Sequence, residues 1–266
     1  NGNLEMIAGK RAMSFYDERD LPFYYWLANE FAIGDRYFSS LQGPTFPNRN
    51  FLYAATSFGM VRNSIPPAEA TLIVDLLSQR KVDWKIYRDA SPGIASFIAK
   101  VPKYASEGRL QSMDDYFADA AAGTLPAFAF VDPSLGVSTG QWDNNDEHPP
   151  SPAQLGQRFV ARVIKALAES PQWSRSALFL TYDEHGGLYD HVPPPKACPP
   201  DETAPILGSN DSAGNFDEYG VRVPFIVVSP YAKRHHVSHT IYDHTSILRF
   251  VQARFVMPAL SHRDAN

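Results

Sequence analysis

Ala177-Leu178-Phe179-Leu180-Thr181-Tyr182-Asp183-Glu184-His185-Gly186-Gly187-Leu188-Tyr189-Asp190-His191 is the stretch on which the fold turns. Its first six residues form a short run, almost wholly apolar, that ends on acidic residues and glycine, the pattern of a strand buried on both faces. Two adjacent carboxylates and an imidazole stand where that strand stops, and Gly186-Gly187 frees the backbone to turn away. Downstream, a Pro/Gly/Asp loop over residues 193–219 leads to a second apolar strand at 223–228. Upstream, a helix opens at Ser151-Pro152-Ala153-Gln154, with Ser151 placed to cap, Pro152 suited to the first turn and Gln154 completing a capping box. Leu155, Phe159, Val160, Val163, Ile164 and Leu167 form its buried stripe.

Further out the alternation continues. Helical spacing is read at residues 22–31, from Thr45 to 55, at 69–79 and at 245–255, and strands at 84–87 and 128–131. Strands without strict polar alternation, interleaved with helices, predict an α/β fold with a largely parallel sheet covered by helices on both faces. Ligands in such folds bind beyond the carboxyl ends of strands, which points to Asp132, Asp183, Glu184 and Ser229.

The chain has 266 residues, 44% of them hydrophobic, enough to bury one large core. Its net charge of −5, with Lys and Arg scattered, gives no basic field for nucleic acid. No apolar run approaches the ~20 residues of a membrane span, so membrane contact is expected to be peripheral at most. Residues 1–5 do not read as a signal peptide, and Cys198, the single cysteine, leaves no disulfide within the chain.

Three constellations carry chemistry. Asp183 and Glu184 at a strand end can converge on one cation, and their hard oxygen donors suit Mg²⁺, Mn²⁺ or Ca²⁺; the alternative is a solvated acidic loop. In Gln42-Gly43-Pro44-Thr45-Phe46-Pro47-Asn48-Arg49 a hydroxyl sits where a helix begins, beside unpaired N–H groups that stabilise a phosphate. Asn48 follows one turn on, and the alternative for Thr45 is an ordinary N-cap. Asp143-Asn144-Asn145-Asp146-Glu147-His148-Pro149-Pro150 offers an imidazole just before the capped helix, against the alternative of a polar surface loop. His235, His236 and His239 lack the helical spacing of a zinc site.

In this order the three segments resemble the phosphoesterase family that contains bacterial phospholipases C, plant non-specific phospholipases C and some acid phosphatases. Gly43–Arg49 matches its G-P-T-x-P-N-R pattern, residues 145–149 match N-D-D/E-H-P, and residues 181–195 match T-Y-D-E-H-G-G-x-Y-D-H-V-P-P-P. The likeness extends to residues 35–40, 84–87 and 242–250.

The resemblance implies an alkaline phosphatase-like fold and a divalent metal ion, Mg²⁺, Mn²⁺, Ca²⁺ or Zn²⁺. Thr45 would be the nucleophile and a metal ligand, Asp183 and Glu184 the other ligands, and His148 a phosphate or leaving-group partner. Asn48, His185 and His191 would support catalysis. The implied activity is phospholipase C action on phosphatidylcholine-type lipids, with phosphomonoesterase action on small esters as the alternative, in a secreted or periplasmic setting. The family's opening E-N-x-S-F-D segment does not occur here. Residues 1–266 are therefore expected to form a single domain incomplete at both ends and lacking the N-terminal strand. A catalytically inactive binding module is the remaining reading, because the upstream metal ligands are absent.

Overall fold

The computed structural model describes residues 9–67, 69–89, 100–135, 144–209, 211 and 214–266. Two sheets organise them. The first contains β1 (Ala32–Gly34), β5 (Leu178–Thr181), β6 (Phe225–Val228) and β7 (His236–Ser238) in the order β5-β6-β1-β7. The second contains β2 (Trp84–Arg88), β3 (Leu110–Ser112) and β4 (Phe128–Asp132) in the order β3-β2-β4. All pairing in the second sheet is parallel, and β1 runs parallel to β7, whereas β6 is antiparallel to both β5 and β1.

The helices are α1 (Pro22–Glu30), α2 (Thr45–Ala54), α3 (Ile73–Gln79), α4 (Val101–Ser106), α5 (Met113–Ala122), α6 (Ala153–Glu169), α7 (His244–Phe255) and α8 (His262–Ala265). Strand pleating divides β6 between two layers. Ile226 and Val228 pack with Leu27 of α1 and Ile164 of α6. Phe225 packs in the other cluster with Tyr37 and Ile247 of α7, its ring stacked 4.3 Å from that of Tyr37. A separate core joins Trp84 and Ile86 of β2 to Leu76 and Leu77 of α3 and Leu248 and Val251 of α7. The α/β class with helices on both faces is as the apolar pattern predicts. Among the described residues no helix is long and apolar enough to cross a membrane.

The antiparallel β6 corrects one expectation. Val228 pairs with Leu178, so Ser229 lies at the amino end of β5, where its hydroxyl donates to Ser176 O at 2.9 Å. Asp183 lies at the other end of β5. The capping box at Ser151 is also not formed: Pro152 is the N-cap and no side chain caps the helix. Gln154 instead donates to Asp20 O at 3.3 Å, a bond across 134 residues that sequence alone does not show. The helix expected at 69–79 starts only at Ile73, because Leu72 is extended and Asp75 accepts its N–H at 3.0 Å. Asp143, the first acid of the run before α6, lies outside the described residues.

Candidate active site

The chain enters α2 through Gly43-Pro44. Pro44 is extended (φ −78°, ψ −173°) and serves as N-cap, so Thr45 is the first helical residue and not the cap. Asn48 builds the approach. Its Oδ1 accepts the N–H groups of Ser40 at 2.9 Å and Leu41 at 3.2 Å, while Nδ2 donates to Gly43 O at 2.9 Å and Pro44 O at 3.2 Å. Fully buried, Asn48 spends its amide on the loop that delivers Thr45 and so acts as a positioning residue. Thr45 is 8% exposed, and its hydroxyl bonds to none of the described residues.

Arg49 lies one helical turn after Thr45, on the same face of α2. Its buried guanidinium donates to Asp132 at the end of β4 and to Tyr53 Oη at 3.1 Å, and stands 3.9 Å from Asp183 Oδ2 beyond β5. One cation therefore joins the carboxyl ends of strands from both sheets. It does not balance the charge around it: Asp132 Oδ2 is buried with no partner among the described residues. Burial pushes the Asp183 carboxyl up to about 6, with Glu184 adding to the rise and Arg49 opposing it.

After Asp183 the backbone turns sharply. Glu184 Oε2 accepts the Gly186 N–H at 2.7 Å, and Oε1 stands 3.6 Å from His148 Nε2. Gly186 is required twice over, since its φ is +63° and a Cβ there would lie 2.8 Å from Pro149 Cδ. That close approach seats the His148-Pro149 segment against the turn. His185 uses Nδ1 on Leu188 O, 2.8 Å away, within a turn closed by Leu188 N–H to His185 O at 3.1 Å. His191 has a side chain 83% exposed and sits beside Asp190, whose carboxylate takes a two-point bond from Arg222 at 2.6 and 2.8 Å.

The structure thus gathers Asp183, Glu184 and His148 and connects Thr45 to them through Arg49. Asn48, His185 and His191 serve the loops around that centre. Beneath it lies a cavity of about 1320 Å³, lined by β4, β5 and α6, with Glu184 and His148 among its polar lining residues.

Two residues at the centre were given no role from sequence. Arg49 had a usable signal, its helical spacing from Thr45. His244 had a weaker one, since Asp243 before an apolar helix marks an N-cap and the Asp243 side chain does cap α7 by accepting from Thr245 N at 3.1 Å. His244 is fully buried, its Nε2 2.8 Å from Asp183 O and its Nδ1 3.0 Å from Tyr37 Oη. Burial pulls its pKa down, so the neutral ring donates to Asp183 O and accepts from Tyr37.

Among the described residues, no three His, Cys, Asp or Glu side chains stand close enough together to hold a metal ion. The charge of the place nevertheless suits a cation. The carboxylates of Asp132, Asp183 and Glu184 outnumber the Arg49 guanidinium, and a cation beside them would offset the cost of keeping the buried Asp183 carboxylate charged.

Residues 3–258 match the Phosphoesterase family. Non-specific phospholipase C1 of Arabidopsis thaliana is 33% identical over 99% of this chain and 52% of its own length. Phospholipase C B of Mycobacterium tuberculosis is 32% identical over 92% of this chain and 52% of its own. The chain spans about half the length of these curated relatives. Among solved structures, a protein in the alkaline phosphatase superfamily from Vibrio parahaemolyticus superposes with a TM-score of 0.56 at 8% identity, covering 92% of this chain and 64% of that one. The lipoteichoic acid synthase LtaP of Listeria monocytogenes gives 0.54 at 12% identity, covering 90% and 66%. These similarities establish an alkaline phosphatase-like fold.

Proposed function

The chain belongs to the Phosphoesterase family, and from that premise we propose that it hydrolyses phosphoric esters, as a phospholipase C on phosphatidylcholine-type lipids, with Thr45 as nucleophile. The observation that carries this reading is the Thr45 hydroxyl, which bonds to none of the described residues, placed in the first turn of α2 on the same face as Arg49. A phosphate there meets the positive end of the helix and the guanidinium. Attack of Thr45 Oγ1 on phosphorus forms a phosphothreonine and expels the leaving alkoxide, and water then breaks the new P–O bond to regenerate the hydroxyl. His148, half-exposed and 3.6 Å from Glu184, protonates the alkoxide. Asp183 and Glu184, with the Thr45 hydroxyl, would be the donors for a divalent ion, which when bound would supply charge that favours the alkoxide form of Thr45 and neutralises phosphoryl oxygens. Arg49 holds Asp183 in place, and His244 fixes the backbone behind it. The names of the relatives support the lipid substrate.

Thr45→Ala should lower kcat by about a thousandfold or more, as loss of a covalent nucleophile commonly does. Retention of more than about a tenth of the activity would end the nucleophile assignment. Parallel assays on phosphatidylcholine vesicles and p-nitrophenyl phosphate decide the substrate class, and preference for the monoester would move the reading to an acid phosphatase.

A further inference from the structure

Glu147 is an acid in an expensive position. It is 9% exposed, burial raises its pKa, and its backbone has φ +62°, a conformation non-glycine residues adopt only where the surroundings over-determine it. Three elements grip its side chain. Tyr24 of α1 donates its hydroxyl to Oε1, Tyr182 at the end of β5 donates to Oε2, and a Cβ at Gly156 of α6 would fall inside the Glu147 side chain.

These contacts bear on the candidate site because of the neighbours. His148 follows Glu147, and Glu184 stands two residues after Tyr182. The two segments therefore run side by side with two cross-links, Glu147 to Tyr182 and His148 to Glu184. His148 has a side chain 47% exposed, and its own close bonds are local, from its N–H to Asp146 Oδ1 at 3.2 Å and between Nδ1 and Pro149 O, 2.8 Å apart. The buried anchor next to that imidazole is its neighbour. A left-handed backbone at Glu147 sets its side chain between two tyrosines and buries it, while the side chain of the next residue, His148, is half-exposed.

We propose that Glu147 is a positioning residue, which with the hydroxyls of Tyr24 and Tyr182 locks the His148 imidazole in register with Glu184 at the end of β5. The inference rests on His148 acting as proton donor. Glu147 does not touch the reacting atoms; its carboxylate fixes where the proton is delivered. Misplacing a reacting group by about 1 Å can cost a hundredfold in rate while leaving substrate affinity nearly intact.

The test is a double-mutant cycle read by kinetics and by NMR of the histidine rings in the whole protein. Glu147→Ala should lower kcat by about ten- to a hundredfold with KM changed less than about twofold. Glu147→Gln, which keeps one acceptor for a tyrosine hydroxyl, should recover most of that loss. In the His148→Ala background Glu147→Ala should cost nothing further, and in the parent background it should shift the His148 ring resonances. If Glu147→Ala fails to fold, Tyr182→Phe, which removes only one hydroxyl, replaces it in the cycle. Additive losses in a His148→Ala background of reduced but measurable activity would overturn the proposal and leave the proton-donor reading standing. Full turnover in His148→Ala would remove the proton donor, and the ring resonances would then decide on Glu147 alone: unmoved signals overturn its positioning role.

Discussion

Arg49→Met removes the positive charge that joins the two sheets at the candidate site while keeping most of the apolar stem. In the folded protein it would leave Asp132, 6% exposed, without its Arg49 counter-charge and Asp183 beside Glu184 without the charge that most opposes the rise in its pKa. Breaking a buried ion pair from one side costs about 3–5 kcal/mol, because the surviving charge is stranded in a low dielectric. The lower end applies here, since Asp183 keeps 23% of its side chain in contact with solvent and protonation offers an escape. About 3 kcal/mol corresponds to a fall in Tm of about 6–12 °C for a domain of this size.

Thermal melts and urea titrations at pH 7.5 and pH 5 read the effect. The loss should be smaller at pH 5, where the stranded carboxylates take up protons. Asp132→Asn, costly alone, should cost less by about 1 kcal/mol or more in the Arg49→Met background. A loss below about 1 kcal/mol at pH 7.5, with no coupling to Asp132, would refute the view that Arg49 holds the strand ends together.

Other outcomes follow from the same geometry. Asp183 binds a proton up to about pH 6 in the folded chain but only to its ordinary value of 3.8 when unfolded, so the metal-free protein should lose stability as pH rises between those values, by about 3 kcal/mol at most, and Asp183→Asn should flatten that slope. A divalent ion at a hundred times its Kd should stabilise the protein by about 2.7 kcal/mol, and Asp183→Ala or Glu184→Ala should abolish both this rise in Tm and turnover; a variant that kept both would not have lost an essential ligand. Gly186→Ala should cost about 1–2 kcal/mol for its left-handed backbone and more activity than that implies, because the clash with Pro149 displaces His148; unchanged kcat would argue against a tight seat. Asn48→Ala should destabilise and depress kcat together, and a stable variant of normal kcat would show that the Ser40–Pro44 loop needs no such anchor.

Much of this site was legible in the chain. The strand before Asp183 is announced by its apolar run, the turn after it by Gly186-Gly187, and the helix start by Pro44-Thr45, since all three depend on local propensity and steric freedom. The same locality explains the failures. Ser151 and Gln154 spell a capping box, but a tertiary bond to Asp20 O claims Gln154 and the N-cap falls to Pro152. Ser229 follows an apolar strand as Asp183 does, yet strand direction is set by partners far away in sequence, and β6 runs the other way.

The sequence by itself determined the elements and the residue types placed at their ends: hydroxyl, amide and guanidinium along the first turns of α2, two carboxylates after β5, an imidazole before α6. Only the tertiary structure decided which of these face one another. It gave Asn48, His185 and His191 to the loops, brought Arg49 between Asp132 and Asp183, and set His244 behind the Asp183 backbone. Periodicity and turn chemistry act over a few residues and are written in the chain order. Burial and pairing of charge act across gaps such as the 83 residues between Arg49 and Asp132, and take their values only once the core has excluded water.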